Sequence, residues 1–205
     1  MTPVLIGTYR KRTHIETCLR SIDQHLTGTS ELIFIDDSGD TAHSAWLAQY
    51  GKVAEVGRRG YTAAMHIMCA AAAGRESFVL EEDFTLTQPV SLEQLHEILW
   101  YRPYLAQIAL LRGPHFPNEH RAGGLIEALA EKGHQFRTVA GIIEHSATFT
   151  GNPSLWRGDV FARGWPLCTM SEDAKRDTLL AAGYRFGYLP GVRCAHHGMR
   201  SGFGY

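Results

Sequence analysis

The 205-residue sequence has no long apolar run, no repeat period and no excess of charge of one sign. No apolar stretch approaches the roughly 20 residues that a membrane-spanning helix needs, so we expect no membrane insertion. The 20 basic and 21 acidic residues leave a formal net charge of −1, which disfavours nucleic acid as a partner. With neither low-complexity segments nor a linker, the sequence predicts a single globular domain over residues 1–205.

The cysteines and the first residues of the chain indicate the cellular compartment in which we expect the protein. Cys18, Cys69, Cys168 and Cys194 are widely separated and form no Cys-x-x-Cys pair, so we expect reduced thiols. Residues 1–12 place apolar side chains before the positive charges, which is the reverse of a secretory signal. These features predict a cytoplasmic protein.

Two phosphate-binding loops are missing from the sequence. Neither Gly-x-Gly-x-x-Gly nor the Walker A pattern occurs, which argues against dinucleotide oxidoreductases and P-loop kinases.

Short apolar runs alternate with helical patterns in the first half of the chain. The predicted strands are residues 4–6, 31–35, 52–56 and 77–80, and the predicted helices are residues 13–24, 41–50 and 63–73. A capping box at residues 13–16 is expected to open the first helix. The alternation predicts an α/β fold with a doubly wound, mostly parallel sheet and helices on both faces.

The alternation is looser in the second half, which is expected to share the same sheet. The predicted helices there are residues 92–101, 125–132 and 171–182, and the predicted strands are residues 108–111 and 185–189. Residues 112–124 are predicted to be a loop, and residues 138–150 to be extended.

Acidic clusters directly follow two of the predicted strands. Asp36 and Asp37 follow the second strand, and residues 81–83 (Glu-Glu-Asp) follow the fourth. Ligands collect at the carboxyl ends of parallel strands, so both clusters should face one crevice. Neighbouring carboxylates repel each other, and a metal ion between them would relieve that repulsion. The alternative is that these are solvated loop charges.

The strand ends at residues 7–10, 35–38 and 80–83 resemble those of the GT-A glycosyltransferases, in particular family 2. Residues 57–61 (Gly-Arg-Arg-Gly-Tyr) resemble the glycine-containing segment that this family has beside the nucleotide. The resemblance implies a GT-A-type fold whose residues 1–90 bind a nucleoside-diphosphate sugar. The implied donor-site residues are Thr8, Tyr9, Arg10, Asp36, Asp37, Arg59, Gly60, Glu81 and Glu82. A carboxylate at position 36 or 37 would accept the ring N–H of uracil, which favours a UDP-sugar.

The resemblance also implies a divalent metal, Mn²⁺ or Mg²⁺, held by oxygen-rich ligands. Asp83 is the implied acidic ligand, although the triplet departs from the usual pattern by opening with Glu81. His196 lies six positions after Pro190, where the family often carries a metal-binding histidine. Adjacent side chains of an extended segment face opposite ways, so only one of His196 and His197 should bind the ion.

Residues 91–205 match the acceptor and catalytic half of the same family. Residues 151–157 and the sequence Ser171-Glu172-Asp173, followed by residues 183–186 and Pro190, carry this match. It implies an inverting transfer in which Asp173 is the base and Glu172 contacts the acceptor. The alternative is that Ser171 caps a helix whose first turn favours acidic residues. The acceptor is unknown, with a saccharide or a protein favoured.

Other features are assigned more ordinary roles. His115, His120, His134 and His145 fit no zinc motif and are expected at the surface or in loops. Trp165 is a candidate to stack on an acceptor, and residues 198–205 could fold over the donor. Two other functions are considered, namely a sugar-nucleotide pyrophosphorylase and a non-catalytic nucleotide- or carbohydrate-binding module.

Overall fold

The computed structural model describes residues 2–28, 30–147 and 151–198. Its helices are α1 (Arg12–His25), α2 (Thr41–Leu47), α3 (Tyr61–Ala72), α4 (Leu92–Tyr101), α5 (Pro117–Ala122), α6 (Leu125–Ala130), α7 (Gly158–Phe161) and α8 (Ser171–Ala181). Its strands are β1 (Thr2–Thr8), β2 (Leu26–Thr27), β3 (Ser30–Asp36), β4 (Lys52–Glu55), β5 (Ser77–Glu81), β6 (Phe84–Leu86), β7 (Val90–Ser91), β8 (Leu105–Arg112), β9 (Phe136–Val139), β10 (Ile142–His145), β11 (Ser154–Trp156) and β12 (Arg185–His196).

One large mixed sheet joins both halves of the chain. Its strand order is β4-β3-β1-β5-β11-β8-β12-β10-β9, and β6 also pairs with β12. The pairs among β4, β3, β1 and β5 are all parallel. β11 then inserts antiparallel between β5 and β8, so the second half is more mixed than the first. The predicted α/β fold with a doubly wound sheet is confirmed.

Helices cover both faces of this sheet, as predicted. On one face α1 and α4 bury Ile15 and Leu95 against the apolar side chains of β1 and β5. On the other face α3, α7 and α8 bury Met68, Phe161 and Leu179. None of the described helices is long and apolar enough to cross a membrane. The four cysteines are free thiols.

Two local predictions are wrong. α1 begins at Arg12 after the N-cap residue Lys11, which makes no side-chain cap bond, so the predicted capping box does not form. The predicted loop at residues 112–124 contains α5, whose Glu119 is buried and paired with Arg112. This ion pair joins a strand to a short helix, and a pattern search along the sequence has no means of detecting it.

His145 departs from its predicted surface or loop position, because it is buried in β10. Its side chain is only 4% exposed, its ring stacks on Tyr188 at 4.7 Å, and neither ring nitrogen has a hydrogen-bond partner among the described residues. Burial lowers the pKa of His145 from 6.5 to about 4. The folded protein therefore keeps this imidazole neutral in a pH range where the unfolded chain protonates it.

This burial predicts a loss of stability at acid pH. Between the two pKa values unfolding takes up a proton, so the free energy of unfolding should fall by up to about 3 kcal/mol as the pH drops through this window. His145→Phe keeps the ring stacking and should remove this part of the decrease. Urea unfolding of both proteins at about pH 7 and about pH 4 measures it. Equal decreases in the two proteins would contradict the prediction.

Candidate active site

The acidic triplet at residues 81–83 lies at the carboxyl end of β5, beside the end of β1. Glu81 ends β5 and lies opposite Gly7 in the parallel register. The Glu82 amide donates to the Gly7 carbonyl at 2.9 Å, and the buried Glu82 carboxylate accepts from the Tyr9 amide at 2.9 Å. The predicted meeting of these strand ends is therefore present, with Glu82 turned towards the loop that follows β1.

Asp83 faces the end of β12, the strand that pairs with β6. In that pairing His196 lies opposite Phe84, and its Nε2 is 3.4 Å from Oδ2 of Asp83. The other oxygen of Asp83, Oδ1, is buried and has no hydrogen-bond partner among the described residues. A Cβ at Gly198 would lie 1.9 Å from Oδ2 of Asp83, so only glycine leaves room for this arrangement.

The neighbouring histidine points elsewhere. His197 Nε2 is 2.7 Å from the Thr85 hydroxyl, and the His197 amide donates to the Asp83 carbonyl. The two rings therefore have different partners, as the alternation of side chains along an extended segment requires. Of the two, His196 is the ring beside the Asp83 carboxylate.

The surroundings of the three acids in the triplet shift their pKa values in different directions. Burial, reinforced by the charges of Asp83 and Glu172, raises the pKa of Glu81 to about 8. Burial likewise raises the pKa of Glu82 to about 7. Burial also acts to raise the pKa of Asp83, but the hydrogen bond and charge of His196 outweigh it and bring the pKa below its usual value. Asp83 is thus the acid of the three that is held ionised.

Asp36 and Asp37, at the end of β3, are almost fully buried and already bound by the protein's own donors. Asp36 accepts from the Ser38 amide at 2.9 Å and from the Ser44 hydroxyl at 2.6 Å. Asp37 accepts from the amides of residues 59 and 60 at 2.6 and 2.7 Å. The bonds of Asp36 connect β3 to α2, and those of Asp37 connect it to the start of α3. Base recognition by either acid stays a prediction.

The other predicted donor-site residues surround the same strand ends. The Thr8 hydroxyl donates to the Ile35 carbonyl, and Arg10 donates to the Ser38 carbonyl at 2.8 Å. Arg59 has an exposed side chain. Gly60 has a φ of 85°, a conformation that favours glycine, and this lets its amide face Asp37 as α3 begins.

Glu172 and Asp173 lie in the first turn of α8 but have different surroundings. The Tyr61 hydroxyl donates to Glu172 at 2.5 Å, and Glu172 lines the same cavity as Glu81. Glu172 is exposed to solvent on one side. The protein around the rest of its carboxylate excludes water and raises the pKa of Glu172. Asp173 is half-exposed and pairs with Arg176 at 2.6 Å. The structure thus places Glu172, rather than Asp173, on the cavity wall.

The cavity itself has a volume of about 630 Å³. Glu81, Glu172 and His196 contribute to its wall, and the far side is formed by α5, α6 and Lys132. Trp165 does not reach it, because it is 3% exposed and its indole N–H donates to the Ser171 hydroxyl. The expected sugar-stacking role of Trp165 is therefore wrong. The capping role of Ser171 is also wrong, since the N-cap residue of α8 is Met170.

The donor set fits a divalent cation only in part. Asp83 and His196 offer one carboxylate and one imidazole, and the buried unpartnered Oδ1 of Asp83 supplies a free acceptor. Within residues 2–28, 30–147 and 151–198 no group of three or more His, Cys, Asp or Glu side chains is arranged to hold a metal. An ion bound here would need further oxygen ligands, such as those of a diphosphate.

Two further residues lie at this site, namely Tyr61, the last residue of the glycine-containing segment 57–61, and His115. Tyr61 reaches Glu172 from a helix 111 positions earlier in the chain. His115 lies in the turn between β8 and α5, in agreement with its predicted surface or loop position, and its ring centroid lies 4.2 Å from that of His196. The contact of Tyr61 with Glu172 and that of His115 with His196 join distant segments of the chain, so no local pattern could have indicated these contacts.

Comparison with solved structures supports the class of fold. A mannosyltransferase from Pyrobaculum calidifontis, in complex with GDP-mannose and Mn²⁺, is 18% identical with a TM-score of 0.69 over 98% of this chain. TarS from Staphylococcus aureus, in complex with UDP-GlcNAc, is 13% identical with a TM-score of 0.65, also over 98%. The chain has the GT-A-like fold of these glycosyltransferases.

The chain spans 58% of the mannosyltransferase chain and 60% of the TarS chain. No protein-family model and no curated protein sequence matches it.

Proposed function

We propose that this protein is a metal-dependent, inverting glycosyltransferase that moves a sugar from a nucleoside diphosphate to an acceptor hydroxyl. The observation that carries the proposal is the convergence of Glu81, Asp83, His196 and Glu172 at one end of the sheet. The similar proteins whose structures hold GDP-mannose or UDP-GlcNAc support a nucleotide-sugar donor. A UDP-sugar remains the favoured donor.

In this proposal the two halves of the chain have separate tasks. Residues 1–90 bind the donor through the ends of β1, β3 and β5, and residues 91–205 hold the acceptor and the base. The cavity beside Glu172 combines apolar side chains such as Leu125 and Leu129 with polar groups. Such a wall suits an acceptor with both apolar surface and hydroxyl groups, which agrees with a saccharide or a protein.

Asp83 and His196 would hold Mn²⁺ or Mg²⁺, which would neutralise charge on the departing diphosphate. Asp173 would take the proton of the acceptor hydroxyl as its oxygen attacks the anomeric carbon. Arg176 pairs with Asp173 and fixes the position of its carboxylate at the start of α8. Glu172 would orient the acceptor, and Tyr61 fixes its carboxylate by donating a hydrogen bond.

The function is tested by incubating the protein with UDP-, GDP- and dTDP-sugars, with Mn²⁺, with Mg²⁺ and with a chelator. Release of nucleoside diphosphate that depends on the metal supports the proposal, and NMR of the product reads the anomeric configuration. Formation of a nucleoside triphosphate from added pyrophosphate would indicate a pyrophosphorylase instead. Binding without any turnover, across a panel of saccharide and protein acceptors, would indicate a binding module.

The two adjacent histidines offer a matched pair of variants. We expect His196→Ala to weaken Mn²⁺-dependent nucleotide binding about tenfold or more, because it removes the ring beside Asp83. His197→Ala removes a ring that bonds to Thr85 and should have a much smaller effect. Calorimetric titration of UDP and GDP with and without Mn²⁺ compares them. The opposite order of effects would assign the metal-binding role to His197.

A further inference from the structure

The turn between β8 and α5 carries His115 to the edge of the candidate metal site. Its ring centroid lies 4.2 Å from that of His196, with the two ring planes tilted by 49°. Phe84 stacks on His196 with centroids 4.5 Å apart and an interplanar angle of 15°. The His196 ring therefore packs against two other rings, Phe84 and His115.

A buried ion pair fixes the turn that carries His115. Arg112, at the end of β8, donates two hydrogen bonds to Glu119 of α5 at 2.5 and 2.7 Å, and both side chains are buried. Glu119 also accepts from the backbone amides of His115 and Phe116 at 2.8 and 3.2 Å. The turn is therefore closed around one carboxylate.

The same turn is tied directly to the strand that ends in His196. The Gly113 amide donates to the Cys194 carbonyl of β12 at 3.2 Å, two positions before His196. Burial alone would raise the pKa of Glu119, but the hydrogen bonds from Arg112 and the two amides outweigh it and lower the pKa to about 2. Glu119 thus stays ionised and the turn stays closed at any pH near neutrality.

We infer that His115 is a positioning residue, which holds the His196 ring in the orientation that directs its Nε2 to Asp83. The inference rests on the proposed function, in which His196 and Asp83 hold the metal of a nucleotide-sugar complex. A histidine whose ring is already oriented loses less rotational freedom when it binds an ion, so contacts around a ligand raise metal affinity. His115 acts here through its ring and not as a further metal ligand.

The chain allows a matched set of variants. Glu119 accepts from the backbone amide of residue 115, so a change of the side chain at this position leaves the hydrogen bonds to Glu119 in place. His115→Ala removes the ring, whereas His115→Phe restores a ring without nitrogen atoms. His120→Ala removes an exposed histidine from α5, the helix that follows the turn, and serves as the control.

Calorimetric titration of UDP and GDP in the presence of Mn²⁺ is the first measurement. We expect His115→Ala to weaken binding about tenfold, in the range seen when outer partners of metal ligands are removed. His115→Phe and His120→Ala should bind like the wild type, and all four proteins should melt at similar temperatures. Unchanged binding by His115→Ala would overturn the inference. Equal weakening by His115→Ala and His115→Phe would also overturn it, since direct contact through a ring nitrogen would then explain the effect.

The second measurement requires no nucleotide. The ring signals of the histidines are recorded in a ¹H–¹³C NMR spectrum, and the His196 signal is assigned from its loss in His196→Ala. The ring currents of Phe84 and His115 contribute to the chemical shift of this signal. We expect this signal to shift in His115→Ala and to stay in place in His120→Ala. An unchanged signal would overturn the inference. A shifted signal in a protein that binds no nucleotide would retain the positioning role of His115 and reject the proposed function.

Discussion

Replacing Asp83 with asparagine is expected to abolish metal-dependent nucleotide binding and, with it, sugar transfer. Asp83 is the acid of the triplet with a lowered pKa, and its buried Oδ1 has no hydrogen-bond partner among the described residues. Asparagine keeps the shape but removes the charge that would face the ion. A metal contributes several kcal/mol to stabilising a diphosphate leaving group, so we expect turnover to fall by about 100-fold or more.

The measurements are the affinity for UDP and GDP with Mn²⁺ and the rate of nucleoside diphosphate release. Asp23→Asn, which changes an exposed acid of α1, is the matched control and should leave both unchanged. If the Asp83→Asn protein bound nucleotide as tightly with Mn²⁺ as the wild type, Asp83 would not be a metal ligand.

Asp173→Asn is expected to abolish transfer while leaving donor affinity within a few-fold of the wild type. A carboxamide cannot take the acceptor proton, so we expect turnover to fall by about 10²- to 10⁴-fold. The pairing of Asp173 with Arg176 is half-exposed and spans only one helical turn, so its loss should cost less than about 0.5 kcal/mol of stability. Activity and stability should therefore respond very differently.

Glu172→Gln is the informative comparison, because Glu172 is the acid of the pair that lines the cavity. If Glu172 orients the acceptor, this variant should raise the KM for the acceptor more than it lowers kcat. Single-turnover assays over a range of acceptor concentrations separate the two effects. Full activity in Asp173→Asn together with loss of turnover in Glu172→Gln would show that Glu172, and not Asp173, is the base.

The sequence predicted several local patterns well, although the caps expected at residues 13–16 and at Ser171 do not form. The helix after Ser91 begins where expected, and its first turn is capped by the Ser91 hydroxyl at 3.2 Å from the Gln94 amide. The acids at the ends of β3 and β5 lie on either side of the end of β1, because parallel strands place their carboxyl ends at one edge of the sheet. Burial of His145, by contrast, depends on the distant ring of Tyr188 and left no local signal.

The sequence by itself therefore determined the α/β class and the acidic strand ends, since helix periodicity and apolar runs are properties of neighbouring residues. The tertiary structure alone decided which of these groups meet. Pairing of β6 with β12 brings Asp83 to His196, and the pair Arg112–Glu119 places His115 on the same ring. Such contacts join residues many positions apart. Their free energy comes from burial and charge pairing that exist only after the sheet has folded.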